Sequence, residues 1–336
     1  MITASPIARL SPPGANWRQL WRESVTDARE LLLMLQLGHL ADRLPASDAG
    51  FALRVPRGFA ARMRPGDPRD PLLLQVLPQL AELDEAEGFT RDAVGDMASR
   101  SAQGVLHKYQ GRALLIASGS CAINCRYCFR RHFPYGDEMA AAGQWRKALE
   151  HVGQDPSISE LILSGGDPLS LATGKLEELS RGLAAIPHVT RLRIHTRLPV
   201  VLPERVDGAF QDWLASLPLQ KVVVLHANHA NEFDPAVDDA CVRLREAGAT
   251  ALNQSVLLRG INDNADTLEA LSERLFAAGV LPYYLHQLDR VQGAAHFEVS
   301  DERALDLLES LRHRLPGYLV PKLVREVGGD ASKRPL

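Results

Sequence analysis

The chain has 336 residues, 46% of them hydrophobic and 24% charged, enough to bury a full core in one large α/β domain or two smaller ones. Its formal net charge of −3 gives no support for nucleic acid or an anionic membrane surface as a partner. The opening stretch MITASPIARLSPPG lacks the apolar centre of a secretory leader, and no apolar run reaches the ~18–20 residues of a membrane span, so a cytoplasmic location without membrane association is expected.

Residues 1–100 read as a helical N-terminal extension. Trp17, Leu20 and Trp21 fall at helical spacing behind Asn16 as N-cap, and Asp27 with Glu30 predicts a capping box ahead of LLLMLQL. Arg54 to Pro71 carries four prolines among several arginines and reads as an extended wrapping loop.

From Arg112 a regular alternation begins. Strands are expected over 112–118, 159–164, 191–196, 221–226, 251–258 and 282–288. Helices are expected between and after them, over 139–153, 175–185, 203–216, 235–247, 266–278 and 301–314. Six strand–helix units in series imply a parallel sheet covered by helices. Six is fewer than the eight of a closed barrel, which leaves a partial barrel or an open doubly wound sheet.

Unusual polar residues gather at the carboxyl ends of these strands: Cys121 after the first, Ser164 to Pro168 (SGGDP) after the second, His195 and Arg197 at the third. His226 and Asn228 follow the fourth, Asn253, Gln254 and Ser255 lie in the fifth, and His286 and Asp289 end the sixth. In parallel α/β folds that edge is where active sites form. Cys241 lies in an expected helix and reads as a small buried apolar residue.

Three of the four cysteines, Cys121, Cys125 and Cys128, fall within SCAINCRYCFRRH. Thiols in a reducing compartment suggest a metal or redox site in place of a disulfide framework. A zinc site would need a fourth ligand, which His132 could supply; that reading makes the chain a zinc-stabilised interaction module. A [4Fe–4S] cluster held by three cysteines would leave one iron open to a substrate.

Cys-x3-Cys-x2-Cys with Tyr127 before the last cysteine resembles the signature of radical S-adenosylmethionine (SAM) enzymes. The resemblance implies a partial (β/α)6 TIM-type barrel over 101–336, with a C-terminal segment carrying a cofactor lysine. It also implies a cluster whose open iron chelates SAM and cleaves it to a 5′-deoxyadenosyl radical. Gly165, Gly166 and Asp167 match that family's glycine-rich segment, and His195 and His226 are further candidates for contacting SAM.

The run CRYCFRR, LSGGDPL, HTRLPVVLPERV, LNQSVLLRGIND, PYYLHQLD and HF closely resembles the lysine 2,3-aminomutases. These add pyridoxal phosphate (PLP), which needs a lysine for its resting imine. Lys333, after the glycines of REVGGDASKRPL, matches the family's PLP lysine; Tyr109, Arg112 and Gln254 match positions around the cofactor. Arg130 occupies the position that binds the substrate carboxylate, as a bidentate guanidinium suits. Asp289 matches one of two aspartates that hold the ε-ammonium of L-lysine. The second is Glu326 here, a departure that keeps the charge and lengthens the reach by a methylene. The implied reaction removes hydrogen from Cβ of lysine and moves the nitrogen from Cα to Cβ, giving β-lysine.

The stretch NWRQLWRESVTDARELLLMLQL resembles a subfamily that makes (R)-β-lysine for elongation factor P (EF-P), and the chain ends three residues after Lys333 where other members continue. That implies an electron donor, and EF-P or its ligase, as partners. The alternative within the family is a free lysine 2,3-aminomutase of catabolism.

Overall fold

The computed structural model describes residues 16–46, 51–137, 139 and 145–336. The opening stretch and part of the helix expected over 139–153 therefore lie outside the described residues. The rest of that helix runs from Arg146 to Gln154.

Ten strands form one sheet in chain order: β1 (Arg100–Ala102), β2 (Val105–Tyr109), β3 (Arg112–Ser118), β4 (Glu160–Gly165), β5 (Arg191–Thr196), β6 (Gln220–His226), β7 (Thr250–Val256), β8 (Leu281–His286), β9 (Lys322–Arg325) and β10 (Arg334–Pro335). Strands β3 to β9 run parallel; β1 and β2 are antiparallel at one edge and β10 at the other. Helices Thr173–Ala184, Gly208–Ser216, Pro235–Glu246, Ala265–Ala277 and Asp301–Arg314 make the later crossovers. The last four are started by Asp207, Asp234, Asn264 and Ser300, whose side chains accept from a backbone N–H of the first turn. The expected helix over 203–216 is thus split, with a short 3-10 turn at Pro203–Arg205 before Asp207 restarts it.

Sequential strand order means that the connections all wind the same way and the sheet curls into an incomplete barrel. Alternation along each strand divides two environments. Leu161, Leu163, Leu192, Ile194, Val223 and Leu225 are buried in the main core. Their neighbours Ile162, Ser164, Arg193, His195 and His226 face the cavity on the inner side. All six expected strands are present. The seventh parallel strand, β9, was not expected: PKLVR is too short and too charged to stand out, and it is fixed by pairing with β8 (Leu285 opposite Leu323).

The N-terminal segment is bound into this architecture. Asn16 caps Trp17–Arg22 as expected, with its side chain accepting from Arg18 N. Asp27 caps Ala28–Met34, but Glu30 pairs with Arg57, so the capping box is not completed. Val55 bridges Val25, yet the expected wrapping loop is partly helical, with single turns at Arg57–Ala60 and Pro71–Leu74. Pro56 and Pro71 stand at the starts of these turns, where a missing N–H costs nothing. Arg205 lies between Trp17 and Phe210, 4.8 Å and 4.7 Å from the ring centres, tying the first helix to the barrel. Cys241 is fully buried, as expected. Among the described residues no helix is long and apolar enough to cross a membrane.

Glu82 shows how far the integration goes. Its buried carboxylate accepts from Arg126 Nε at 2.8 Å and Arg131 Nη2 at 2.8 Å, and both arginines flank the cysteine loop. Glu82→Ala leaves two buried guanidinium groups short of a counter-charge and is expected to cost about 3–5 kcal/mol, read as a lower midpoint in chemical denaturation.

Candidate active site

The cysteines lie on the loop that leaves β3. That loop is stitched to the N-terminal segment by Asn124 N to Arg54 O (3.0 Å) and Arg126 N to Gln75 O (2.9 Å). All three line one cavity. Arg197, buried at the end of β5, donates through Nη1 to Cys125 Sγ at 2.7 Å and through Nη2 to Glu232 at 2.9 Å. Burial, then the neighbouring sulfurs, pushes the Cys121 thiol far up; burial, then Cys125, brings Cys128 to about 11. Three bare thiolates are therefore costly together here, a condition that bound metal relieves. Among the described residues no three His, Cys, Asp or Glu side chains converge on one ion, and His132 Nε2 lies 3.2 Å from Gln292 O. The donor set suits a polynuclear cluster, each thiolate on its own iron, better than a tetrahedral zinc with Zn–S of about 2.3 Å.

The glycines after β4 are required by backbone contact. Gly165 has φ +126°, and a Cβ there would lie 2.4 Å from Ser118 O; at Gly166 it would lie 2.6 Å from Ser120 O. This approach lets Gly166 N donate to Ser118 O (2.6 Å) and Asp167 N to Ser120 O (2.8 Å), locking the turn to the cysteine loop. Asp167 lines the cavity, but its carboxylate accepts from Thr196 Oγ1 (2.7 Å), Arg197 N (2.7 Å), Leu198 N (3.0 Å) and Leu169 N (2.9 Å). These hydrogen bonds make the Asp167 carboxylate a brace between the turn after β4 and the end of β5.

On the opposite wall stands Lys333, carried back by the β9–β10 hairpin. Its Nζ lies 3.1 Å from Glu326 Oε2 and 3.2 Å from His286 Nε2, with Tyr284 beneath it at 5.5 Å. Burial holds His286 neutral, its pKa well below the usual imidazole range, so its ring nitrogen can accept from Lys333. Glu326 also meets Lys108 at 3.0 Å. Burial alone would raise the Glu326 carboxyl, but Lys333 and Lys108 outweigh it and bring it to about 2. Lys108 reaches Asp96 at 2.7 Å, and Asp96 accepts from Arg130 Nε at 2.7 Å. Arg130 also donates to Ser164 Oγ at 2.9 Å. Asp289 lacks a side-chain hydrogen bond or ion pair among the described residues. Burial, reinforced by Glu326, pushes it up to about 7 against the pull of Lys333 and Lys108.

Between these walls lie polar atoms with nothing to bind. The Tyr109 hydroxyl, Gln254 Oε1 and His195 Nε2 are buried without a hydrogen-bond partner. The Arg112 guanidinium packs over Tyr109 at 4.7 Å and has no carboxylate partner among the described residues. Such orphaned donors and acceptors fit a polyanionic, hydrogen-bonding ligand such as a phosphorylated pyridine aldehyde. Gln254 Nε2 donates to His226 Nε2 at 3.0 Å, and burial lowers His226 to about 3.

The candidate cofactor and substrate residues line this one cavity: the three cysteines, Tyr109, Arg112, Arg130, Gly165, Gly166, Asp167, His195, His226, Gln254, Asp289, Glu326 and Lys333; His132, Asn228, Asn253 and Ser255 do not. It encloses about 1700 Å³ of empty space, part of it open to solvent. Sequence reasoning missed Asp96, Lys108 and the role of His286 and Arg197. Asp96 and Lys108 sit in a stretch without periodic pattern; their one signal was charge shortly before the first strand.

No family model matches the chain. Among curated proteins it is 50% identical over 328 residues to the L-lysine 2,3-aminomutase of Escherichia coli (strain K12), covering 97% of this chain and 96% of that relative. It is 45% identical over 321 residues to the L-lysine 2,3-aminomutase of Haemophilus influenzae, covering 95% and 94%. With that of Clostridium subterminale it shares 34% over 280 residues, 83% of this chain and 67% of the relative. Among solved structures, a radical SAM methyltransferase from Sphaerobacter thermophilus aligns over 66% of this chain and 68% of its own with a TM-score of 0.45 and 20% identity. With half its residues shared along nearly the whole length of a relative, this chain belongs to the L-lysine 2,3-aminomutase family.

Proposed function

We propose that the protein is a radical SAM isomerase that converts L-α-lysine into β-lysine, in the R form, and that the product supplies the modification of EF-P. The observation that carries the activity is the pairing, across one cavity, of a three-thiolate wall with a wall holding an amine (Lys333) and two carboxylates (Asp289 and Glu326). Cys121, Cys125 and Cys128 would hold three irons of a [4Fe–4S] cluster, with SAM on the fourth and His195 and the Gly165–Gly166 turn beside it. Lys333 would carry PLP, with Arg112, Tyr109 and Gln254 toward its phosphate. Bound there, these groups supply a carbon-centred radical and a carbonyl able to carry a migrating nitrogen.

The chain's own residues do the remaining work. Arg130 keeps a guanidinium edge for the substrate carboxylate while Asp96 fixes its Nε. Asp289 and Glu326 offer negative charge to the distal ammonium, whose burial without a counter-charge would cost several kcal/mol. Neutral His286 accepts the hydrogen bond of Lys333 Nζ and so orients the amine without adding charge beside it. Buried, neutral His195 and His226 add polar contacts without adding charge beside the cysteines.

The EF-P role is supported by the stretch from Asn16 to Leu37. It implies a cytoplasmic enzyme with an electron donor and contact with EF-P or its ligase; catabolism of free lysine is the competing role. Deleting the gene decides between them: loss of the β-lysyl increment from the mass of EF-P is expected, and an unchanged EF-P assigns the enzyme to catabolism.

Purified without oxygen, the protein should hold about 4 Fe and turn lysine into β-lysine with SAM, PLP and a reductant, with the R enantiomer resolved by chiral chromatography. Borohydride reduction should label Lys333. Lys333→Ala should lose amino migration and keep SAM cleavage, since the two sites are separate.

Asp289 faces Glu326, Lys333, Lys108 and Asp96, and it is neutral below its pKa of about 7. Only the charged form attracts an ammonium. Lysine binding is therefore expected to tighten by up to about tenfold per pH unit as pH rises toward 7 and to level off above it. Equilibrium dialysis across pH measures this, and Asp289→Asn should flatten the profile.

A further inference from the structure

Among the described residues no strand pairing joins the two edges of the sheet, and the open seam lies between the β1–β2 hairpin and the β9–β10 hairpin. Five alternating charges cross it. Arg130 meets Asp96 at 2.7 Å, Asp96 meets Lys108 at 2.7 Å, Lys108 meets Glu326 at 3.0 Å, and Glu326 meets Lys333 at 3.1 Å. Lys108 belongs to β2 and Glu326 follows β9, so their ion pair spans the seam directly.

The chemistry of Lys108 is unlike that of a binding residue. An ammonium has three N–H donors. Its Nζ donates to Glu326 Oε1 at 3.0 Å and Val94 O at 2.9 Å and lies 2.7 Å from Asp96 Oδ1, so its charge is shared between two carboxylates of its own chain. Asp96 lies between two cations, Lys108 and Arg130, and is buried at 1% exposure. Backbone contact supports the same crossing, because Gly95 packs on Gly328, with the site for a Cβ 3.7 Å from Gly328 Cα.

At one end of this chain of charges is the arginine placed against the substrate carboxylate, and three members along it, before Lys333, is the glutamate placed against the distal ammonium. Buried ion pairs are stiff, since breaking one strands a charge. We propose that Asp96 and Lys108 are positioning residues that fix the separation between Arg130 and Glu326 and thereby select the length of the amino acid between its two charged ends. This rests on the lysine-aminomutase reading. It also accounts for the longer glutamate at position 326, which reaches Lys108 and the ligand subsite together.

The test compares L-lysine with L-ornithine, one methylene shorter, in kcat/KM and, without turnover, in dissociation constants from equilibrium dialysis. The wild type should favour lysine. Lys108→Met should shrink that preference by about tenfold or more, the order of discrimination one methylene carries, and Lys108→Arg should restore most of it. Asp96→Asn keeps the shape, removes the charge and carries the same expectation if Lys108→Met does not fold. Equal loss on both amino acids, with the ratio unchanged in folded variants, assigns the two residues a structural role and overturns the inference. A wild type that binds and converts neither amino acid overturns the functional reading itself.

Discussion

Carboxylates held between two cations are the constraint on which this site depends. Glu82 lies between Arg126 and Arg131, Asp96 between Arg130 and Lys108, and Glu326 between Lys108 and Lys333. Each buried carboxylate would be costly alone, and each excess guanidinium or ammonium equally so. Sharing balances the charges along a line, so that no member can be removed without exposing its neighbours. Asp289 breaks the pattern. It faces the same cavity with no ionic partner among the described residues, and burial, reinforced by Glu326, pushes it up to about 7. A ligand ammonium placed there would complete the alternation of charges.

Much of the fold and site was legible because the signals were local. Six strands were visible from apolar runs, and many of the polar residues at their ends line one cavity, while the cysteine spacing by itself left zinc and an iron–sulfur cluster both open. What stayed hidden was set by contacts distant in sequence. Lys108 and Glu326 are 218 positions apart, and nothing in either neighbourhood announces the other. Strand β9 carries too few apolar residues to be seen alone, and exists because β8 offers it a partner. The N-terminal hundred residues were expected as an extension around the barrel. They supply Gln75 to Arg197, Glu82 to Arg126 and Arg131, and Asp96 to Arg130.

Asp167 illustrates a different limit. Its place in a glycine-rich turn identified the neighbourhood correctly, while its task was visible only in three dimensions. The turn docks on the cysteine loop through Asp167 N and Ser120 O, and the Asp167 carboxylate grips the backbone of Arg197. The Arg197 side chain then returns to Cys125 Sγ, braced by Gln75 and Glu232. The path closes on the loop where it began. A displacement of the β4 turn is thus transmitted to one thiolate through three short contacts, and the absence of a Cβ at positions 165 and 166 is what permits the first of them. Positioning of the cysteines is therefore a property of three strand ends acting as a unit, which a spacing motif within one loop cannot express.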